Sequence, residues 1–412
     1  MQIEKIVAKT LVHDTVHKTQ YHLNPYQGCY HDCKYCNGKS KRFYLHDEFS
    51  TKIRVKVNAP QLLEQFLRKK GFYPTNREHT DTLIDFVPNL KESTNSNLPS
   101  KFTLFIGGGI CDVYQPAEEV LSVTRKLLQI AYDFKFPIRT LTKNSLVLRD
   151  IELFKKIHRQ SFARVSLTAT LADEEEQKIF EPRASTTEDR FLALKTLRDD
   201  DLPAGIYMTP LLPFIGDSKK NLEELFKKCK DSNAEFVITG GLTLRQGKQK
   251  EELFSVIRDH YPELLEKYAK LYLNNHPSGI PDTFYTHKLN LVDPIKMGYE
   301  MCKKFQIPFF EPRYIPVDKL QLNRRISTVL SRIAFIKSRI FQHSSLEAKR
   351  LQLDSILFET LTKDIGRMDK QKIHSLPVHK ESIPHISNML TNNECEYLLK
   401  HNEWENLFYV HN

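Results

Sequence analysis

The sequence lacks any long apolar run. No stretch approaches the roughly 18 consecutive apolar residues that a membrane-spanning helix needs. Its start, MQIEKIVAKTLVHD, also lacks the charged, apolar and small-residue order of a secretory signal. These features predict a soluble protein of the cytoplasm that has no membrane partner.

Cysteine is scarce and unevenly placed. Of the seven cysteines, three lie within eight positions and four stand alone. An odd number with this distribution does not suit a disulfide framework. It suits a reducing compartment and a metal site.

Fixed-period repeats and extended low-complexity tracts are absent as well, which argues against solenoids and propellers. What the chain contains is an alternation of short apolar runs with longer stretches of helical periodicity. The short runs lie at Lys52–Val57, Phe102–Ile106, Ile138–Thr142, Ala163–Thr168, Gly205–Pro210 and Phe236–Thr239. The alternation predicts an α/β fold with a parallel sheet, open or closed into a barrel, whose chemistry collects at the carboxyl ends of the strands.

The character of the sequence changes after about Pro316, where strand patterns stop and helical patterns continue to the end. With 412 residues and 40% hydrophobic content, the chain can form two folding units. We therefore predict a core domain over residues 1–316 and a helical carboxyl-terminal region over residues 317–412. The polar segment Pro88–Ser100 is predicted to be a surface loop.

The segment NPYQGCYHDCKYCNGKS carries Cys29, Cys33 and Cys36 on a predicted loop after a short first strand, Tyr21–Asn24. Three thiolates so close in sequence can hold one compact soft-metal site, and thiolates are the ligands of iron–sulfur clusters. A structural zinc site has four protein ligands, whereas three cysteines leave one iron of a four-iron cluster open. The alternative is a zinc site completed by a histidine, with the candidates His22, His31 and His46.

The C-x3-C-x2-C spacing, with Tyr35 directly before the third cysteine, resembles the signature of the radical S-adenosylmethionine (SAM) superfamily. The resemblance implies a partial (β/α)6 TIM-type barrel and a 4Fe–4S cluster held by the three cysteines, whose open iron binds SAM. It implies that reductive cleavage of SAM yields methionine and a 5′-deoxyadenosyl radical. It also places Tyr35 near the adenine and calls for an electron donor such as flavodoxin or ferredoxin.

A glycine run in FIGGGICDVYQP, formed by Gly107, Gly108 and Gly109, follows the strand predicted at Phe102–Ile106. Glycines at a strand end allow a ligand to approach the backbone closely. By resemblance, these three residues occupy the place of the superfamily motif that binds the methionyl amino group of SAM. Gly109 stands where an acidic residue is common in the superfamily. The resemblance therefore implies that backbone groups alone contact the methionyl amino group in this chain.

The segments NPYQGC, DVYQP, LTKNSLVLRD and FEPRAST together resemble the spore photoproduct lyase-like branch, often called DNA repair photolyases, over roughly residues 20–240. This resemblance implies that Lys143 and Ser166 bind the carboxylate end of SAM. A cation at a strand end suits that role for Lys143. Arg183 is a further cationic candidate for the cofactor, or else an ion-pair partner of Glu181 or Glu188.

Cys111 lies in the loop from which a spore photoproduct lyase returns a hydrogen atom to its product radical. It stands two residues after the strictly matching position, which is Gly109. The resemblance makes Cys111 a candidate hydrogen donor. The alternative is a small buried thiol that only packs.

Basic residues dominate residues 319–350, which contain eight Lys or Arg and one Glu, within a chain of net charge +10. Arg325, Arg332 and Arg339 recur every seven residues beside an apolar stripe, a line that could follow a phosphate backbone. With no base-reading motif in the sequence, recognition would use shape or a flipped base. The alternative is a solvated helix face that docks on the barrel.

The sequence therefore predicts a radical SAM enzyme that acts on nucleic acid, in the manner of lesion repair at a pyrimidine pair. A second hypothesis is radical modification of a peptide, a protein or a small metabolite. A third, from another class, is a non-catalytic nucleic-acid-binding protein stabilised by zinc.

Overall fold

The structure is a computed structural model that describes residues 1–13, 20–43, 45–74, 102–107, 110–341, 345–367 and 376–410. Its strands are β1 (Gln2–Ile6), β2 (Val12–His13), β3 (Gln20–Leu23), β4 (Tyr26–Gln27), β5 (Lys52–Lys56), β6 (Thr103–Gly107), β7 (Ile138–Thr142), β8 (Ala163–Thr168), β9 (Ala204–Leu211), β10 (Val237–Gly241), β11 (Arg313–Ile315) and β12 (Phe408–Val410). Strands and helices alternate from β6 to β10, as the sequence predicted.

The first ten α-helices of the described part of the chain lie mostly in the segments that connect the strands of the main sheet. They are α1 (Ala59–Lys69), α2 (Ala117–Leu121), α3 (Val123–Asp133), α4 (Ile151–Gln160), α5 (Glu174–Phe180), α6 (Thr187–Asp199), α7 (Lys219–Asp231), α8 (Lys248–His260), α9 (Leu265–Tyr272) and α10 (Thr283–Lys288). The later helices are α11 (Pro294–Phe305), α12 (Gln321–Phe335), α13 (Ser345–Thr360), α14 (Ile383–Asn392) and α15 (Glu396–Lys400). None of the helices in the described ranges is both long and apolar enough to cross a membrane.

The main sheet has seven strands in the order β10-β9-β8-β7-β6-β3-β2. From β3 to β9 the neighbours pair in parallel, and β2 pairs antiparallel to β3. Strands that follow in sequence order with helices between them form a partial (β/α)6 barrel, so the predicted fold class is confirmed.

One predicted strand lies outside this sheet. Lys52–Lys56 forms β5, which pairs in parallel with β1 and antiparallel with β4 in a separate three-stranded sheet. The first strand of the barrel is β3, which corresponds to the first strand predicted at Tyr21–Asn24. Apolar alternation identifies a strand but does not identify its partner.

The centre of the sheet is shielded from solvent. Every residue of β8 is buried, as expected for a parallel strand covered on both faces. Its one charged residue, Arg164, makes two contacts of 3.1 Å to the carboxylate of Glu235. Pairing of this kind removes most of the cost of burying a guanidinium.

The described chain divides into two compact units. The first comprises Met1–Glu235 and Thr239–Pro294, and the second comprises Phe236–Ile238 and Ile295–Asn412. The division at Pro294 lies before the boundary predicted at about Pro316.

Aromatic packing joins α11 to α12 within the second unit. The ring of Tyr299 on α11 contacts Phe309, which contacts Phe310, which contacts Phe335 on α12, with centroid distances of 5.6, 5.0 and 5.3 Å. The unit is also not wholly helical, because β11 pairs in parallel with β12.

Candidate active site

A cavity of about 280 Å³ opens at the carboxyl ends of the barrel strands in the first unit. It is lined by residues of the cysteine loop, by the last residues of β7 to β10, by the segments that follow β6, β7 and β10, and by Phe49. The lining residues are Cys29, His31, Asp32, Cys33, Tyr35, Cys36, Asn37, Phe49, Ile110, Cys111, Asp112, Leu141, Thr142, Lys143, Thr168, Thr209, Pro210, Gly240, Gly241, Leu242 and Thr243. This is the sheet edge at which the α/β pattern predicted chemistry.

The three clustered thiols line this one cavity. Cys29 and Cys33 are buried, Cys36 is half-buried, and burial raises the pKa of all three thiols above the ordinary value. Within the described residues, no three His, Cys, Asp or Glu side chains are grouped so as to hold a single metal ion. The donor set nevertheless fits an iron–sulfur cluster, since cluster cysteines bind separate irons and need not meet at one point.

Side chains from the loop after β6 hold the cysteine loop by its backbone. Gln115 donates to the carbonyl of Gly28 (3.0 Å) and accepts from the amide of Tyr30 (2.9 Å), on either side of Cys29. In return, Asn24 donates to the carbonyl of Cys111 (2.6 Å). The NPYQGC and DVYQP segments are therefore two halves of one hydrogen-bonded support.

Asp112 connects this support to the end of β7. Its carboxylate accepts from the hydroxyl of Thr142 and from the backbone amide of Lys143, both at 2.7 Å. The ring of His31 lies 3.4 Å from the same carboxylate. Asp112 thus fixes the backbone from which the Lys143 side chain projects.

Glu181, in the FEPRAST segment, is a buried charge behind the cavity lining, in contact with Tyr35 and Lys143. It accepts from the hydroxyl of Tyr35, pairs with Arg190, and lies 3.8 Å from Nζ of Lys143. Burial opposes its ionisation, but Arg190 and Lys143 outweigh that effect and lower its pKa to about 2. Sequence reasoning considered Glu181 only as a partner of Arg183 and missed this role.

Of the residues predicted to bind SAM, some line the cavity and others do not. Tyr35 and Lys143 line the cavity, with the Lys143 ammonium 5.8 Å from the Tyr35 ring centre. Ser166 is buried inside β8, and Thr168, two residues nearer the carboxyl end on the same strand face, lines the cavity in its place.

The glycine run is described only at its first residue. Gly107 ends β6 with a φ of +87°, and an added Cβ would lie 3.0 Å from the Val113 side chain, so both backbone and packing require glycine. Gly108 and Gly109 lie outside the described residues, as does the loop predicted at Pro88–Ser100.

Arg183 is placed differently from either expectation. Its guanidinium lies 2.7 Å from the carboxylate of Asp32 and 4.2 Å from the ring centre of Tyr30, and it donates to the carbonyl of Ser50 at 3.3 Å. It is absent from the cavity lining, and Glu181 and Glu188 pair with other cations. Arg183 therefore supports the cysteine loop from outside the cavity.

Of the histidines considered for zinc, only His31 lines the cavity, where it contacts Asp112. His22 lies in β3, and His46 lies 3.5 Å from the carbonyl of Gln27. Cys111, the candidate hydrogen donor, is buried and lines the same cavity as the three clustered thiols.

A basic and aromatic group borders the cavity and was not predicted. Arg245 donates to the side chains of Asn37 (2.8 Å) and Thr243 (3.2 Å), both of which line the cavity. The guanidinium groups of Arg42 and Arg245 lie 5.6 and 5.4 Å from the ring centre of Phe43. The signal in the sequence was the run Lys39–Phe43, in which basic residues precede an aromatic one. We call Arg42, Phe43 and Arg245 the rim cluster.

The arginine line predicted in the second unit is not a solvated stripe. Arg325 lies over the ring of Phe408 at 4.9 Å, and Arg332 lies over the ring of Phe310 at 3.6 Å. Arg339 is exposed, but it lies within a π-helical turn, Ile336–Ile340, that alters the seven-residue spacing.

Comparison with known proteins gives one family match. The model of the "Radical SAM superfamily" matches residues 23–229. An uncharacterized protein of Mycobacterium tuberculosis is 26% identical over 257 residues, which cover 61% of this chain and 67% of that protein. An uncharacterized protein of Methanocaldococcus jannaschii is 27% identical over 219 residues, which cover 53% and 70%.

Solved structures with a similar fold include spore photoproduct lyase. A mutant with bound AdoMet and dinucleoside spore photoproduct has a TM-score of 0.49 and 14% identity, covering 74% of this chain and 79% of that one. A radical SAM methyltransferase from Sphaerobacter thermophilus has a TM-score of 0.41 and 10% identity, covering 73% and 67%.

We expect Glu181→Gln to destabilise the protein by about 3–5 kcal/mol, because Arg190 would remain buried without its counter-charge. The measurement is the urea midpoint followed by circular dichroism. The matched control is Glu175→Gln: Glu175 is 83% exposed and pairs with Lys178 on the surface, so its loss should change stability by less than about 0.5 kcal/mol. Equal midpoints for the two variants would show that the Glu181 network does not stabilise the fold.

Proposed function

This chain belongs to the radical SAM superfamily, whose members use a 4Fe–4S cluster and SAM, and we propose that Cys29, Cys33 and Cys36 hold that cluster in the cavity of the first unit. The observation that carries the proposal is the convergence of these three thiols on one cavity at the carboxyl ends of the strands. When bound, the cluster and SAM supply a one-electron cleavage that yields methionine and a 5′-deoxyadenosyl radical. The electron comes from an external donor, as is typical of the family.

The residues around the cavity have separate tasks in this proposal. Lys143, whose backbone Asp112 fixes, presents a cation to the carboxylate of SAM. Tyr35 is held by Glu181 and offers its ring to the adenine. The buried cavity wall keeps bulk water away from a reactive carbon radical.

We propose nucleic acid as the substrate class, with lesion repair at a pyrimidine pair as the reaction. The net charge of +10 favours a polyanion. The rim cluster adds a local reason, since two guanidinium groups can contact phosphates and Phe43 can stack on a base. The arginine line of the second unit gives no support, because Arg325 and Arg332 lie over aromatic rings.

We assign the return of a hydrogen atom to Cys111. Its thiol lines the same cavity as the cluster cysteines. The S–H bond breaks as a C–H bond forms on the substrate radical, which leaves a thiyl radical on Cys111. One electron from the external donor and one proton from solvent then restore the thiol.

Anaerobic reconstitution with iron and sulfide, followed by dithionite reduction with SAM, tests the cluster assignment. We expect a brown protein that forms 5′-deoxyadenosine, and we expect Cys33→Ala to abolish that product, since a cluster site is lost with one of its three ligands. Cys229→Ala is the matched control, because Cys229 is a buried lone thiol of α7 that does not line the cavity.

The readouts are the visible spectrum, iron content and chromatography of the nucleoside. A brown protein that never cleaves SAM would contradict the radical chemistry while leaving a cluster. A colourless protein containing zinc would instead favour the non-catalytic zinc hypothesis.

Deuterium transfer tests the assignment of Cys111. In D2O the thiol exchanges to S–D, so wild-type enzyme acting on ultraviolet-damaged oligonucleotide should place solvent deuterium in the repaired base. Cys111→Ala should still form 5′-deoxyadenosine but should lose this label, as measured by mass spectrometry. Unchanged label in Cys111→Ala would assign the hydrogen donor elsewhere.

Binding of a single-stranded oligonucleotide, followed by fluorescence anisotropy against salt, tests the substrate class. Loss of one phosphate contact in Arg42→Gln should weaken binding and lower the slope of log K against log salt by about 0.7. The matched control is Arg258→Gln, which alters a 61% exposed arginine of α8. No retention of DNA or RNA by wild type, together with normal SAM cleavage, would favour a peptide, protein or small metabolite as substrate.

A further inference from the structure

The second unit contains a cavity of its own, about 470 Å³ in volume. It is formed by α11, the segment that follows it, α12 and the chain after α15. Its lining residues are Tyr299, Cys302, Lys303, Gln306, Ile307, Pro308, Phe309, Phe310, Arg332, Lys400, His401, Asn402, Glu403 and Asn406. The radical chemistry proposed for the first unit uses none of them.

Arg332 is the buried charge of this cavity. Its side chain is only 10% exposed, and its guanidinium lies 3.6 Å from the ring centre of Phe310. The nearest counter-charge, Glu403, is 3.8 Å away, which is beyond hydrogen-bond distance. Burial lowers the pKa of Arg332 to about 9. The five N–H donors of this guanidinium are therefore removed from water without a hydrogen-bonded counter-charge to compensate.

The other charges of the lining increase the positive excess. Lys303 and Lys400 are exposed, and Glu403 is the only acid among the residues that line the cavity. Burial raises the pKa of Glu403 above its ordinary value. Three cations facing one carboxylate leave an excess of about two positive charges, and such an excess attracts a dianion.

A neutral donor also faces the cavity. Tyr299 lies beside Glu403, but its buried hydroxyl has no partner at hydrogen-bond distance among the described residues. A buried polar group without a partner is uncommon unless a ligand or a water satisfies it. This observation is independent of the charge of Arg332 and points into the same space.

We propose that this cavity binds a phosphate monoester group, with Arg332 as its anchor. A phosphate dianion matches the charge excess, and the planar guanidinium can donate two parallel hydrogen bonds to it. Lys303 and Lys400 stand where the group enters. The cavity volume falls within the range of ordinary small-molecule sites, so the rest of the molecule has room beside the rings of Phe309 and Phe310.

Isothermal titration of the full-length protein with inorganic phosphate, and separately with AMP, tests the site. We expect saturable binding of one equivalent, weakened about tenfold or more in Arg332→Met, because a charge-assisted hydrogen-bond donor is lost. Since Arg332 also packs on Phe310, circular dichroism checks the fold of that variant. Lys400→Gln, at an exposed position, removes one charge without touching the interior and should weaken binding by a smaller factor. Lys296→Gln, on α11 but away from the cavity, is the matched control and should not change it.

Oligonucleotides with and without a 5′-phosphate identify the source of the phosphate. Tighter binding of AMP than of the phosphorylated oligonucleotide would assign a free phosphate ester, and the reverse order would assign a nucleic-acid end; either result upholds the site. Absence of saturable binding to wild type, or equal affinity in wild type, folded Arg332→Met and Lys400→Gln, would overturn it. Neither outcome bears on SAM cleavage, which is measured separately.

Discussion

The buried carboxylate of Glu181 is the interaction on which the active-site cavity depends. It joins the cysteine loop through Tyr35, the end of β7 through Lys143, and α6 through Arg190. Away from water, opposite charges attract more strongly, and an unpaired charge costs more. Because one carboxylate faces two cations, the wall retains positive character at Lys143, the charged member of the network that lines the cavity.

Patterns that depend on local sequence predicted most of the fold and the centre of the site. Short apolar runs separated by helical periodicity gave the sheet, and the spacing of Cys29, Cys33 and Cys36 gave three thiols on one cavity. Such patterns are reliable because a few neighbouring residues determine which side of a strand is buried and how far apart the cysteines of one short loop can lie. These patterns do not predict which side chains far apart in the sequence contact each other.

The differences between sequence and structure come from those distant partners. Arg183 meets Asp32, about 150 residues earlier, and nothing near either residue in the sequence indicates the pair. Thr168 rather than Ser166 reaches the cavity because depth along a strand depends on where the strand ends in three dimensions. Arg332 lies over Phe310 because an aromatic face is available there, which helical periodicity cannot reveal.

The support of the cysteine loop has a further consequence. Asn24, Asp112 and Gln115 all act through their side chains on backbone groups of other segments. A backbone amide or carbonyl is the same whatever side chain its residue carries. The residues whose backbone groups take part in these bonds, such as Gly28 and Tyr30, therefore contribute to the support through the position of their backbone and not through their side chains. Mutation of Asn24, Asp112 or Gln115 should therefore weaken the support directly, whereas a recipient matters to it through its backbone, as at Gly28, whose φ of +96° and close backbone neighbours exclude a side chain.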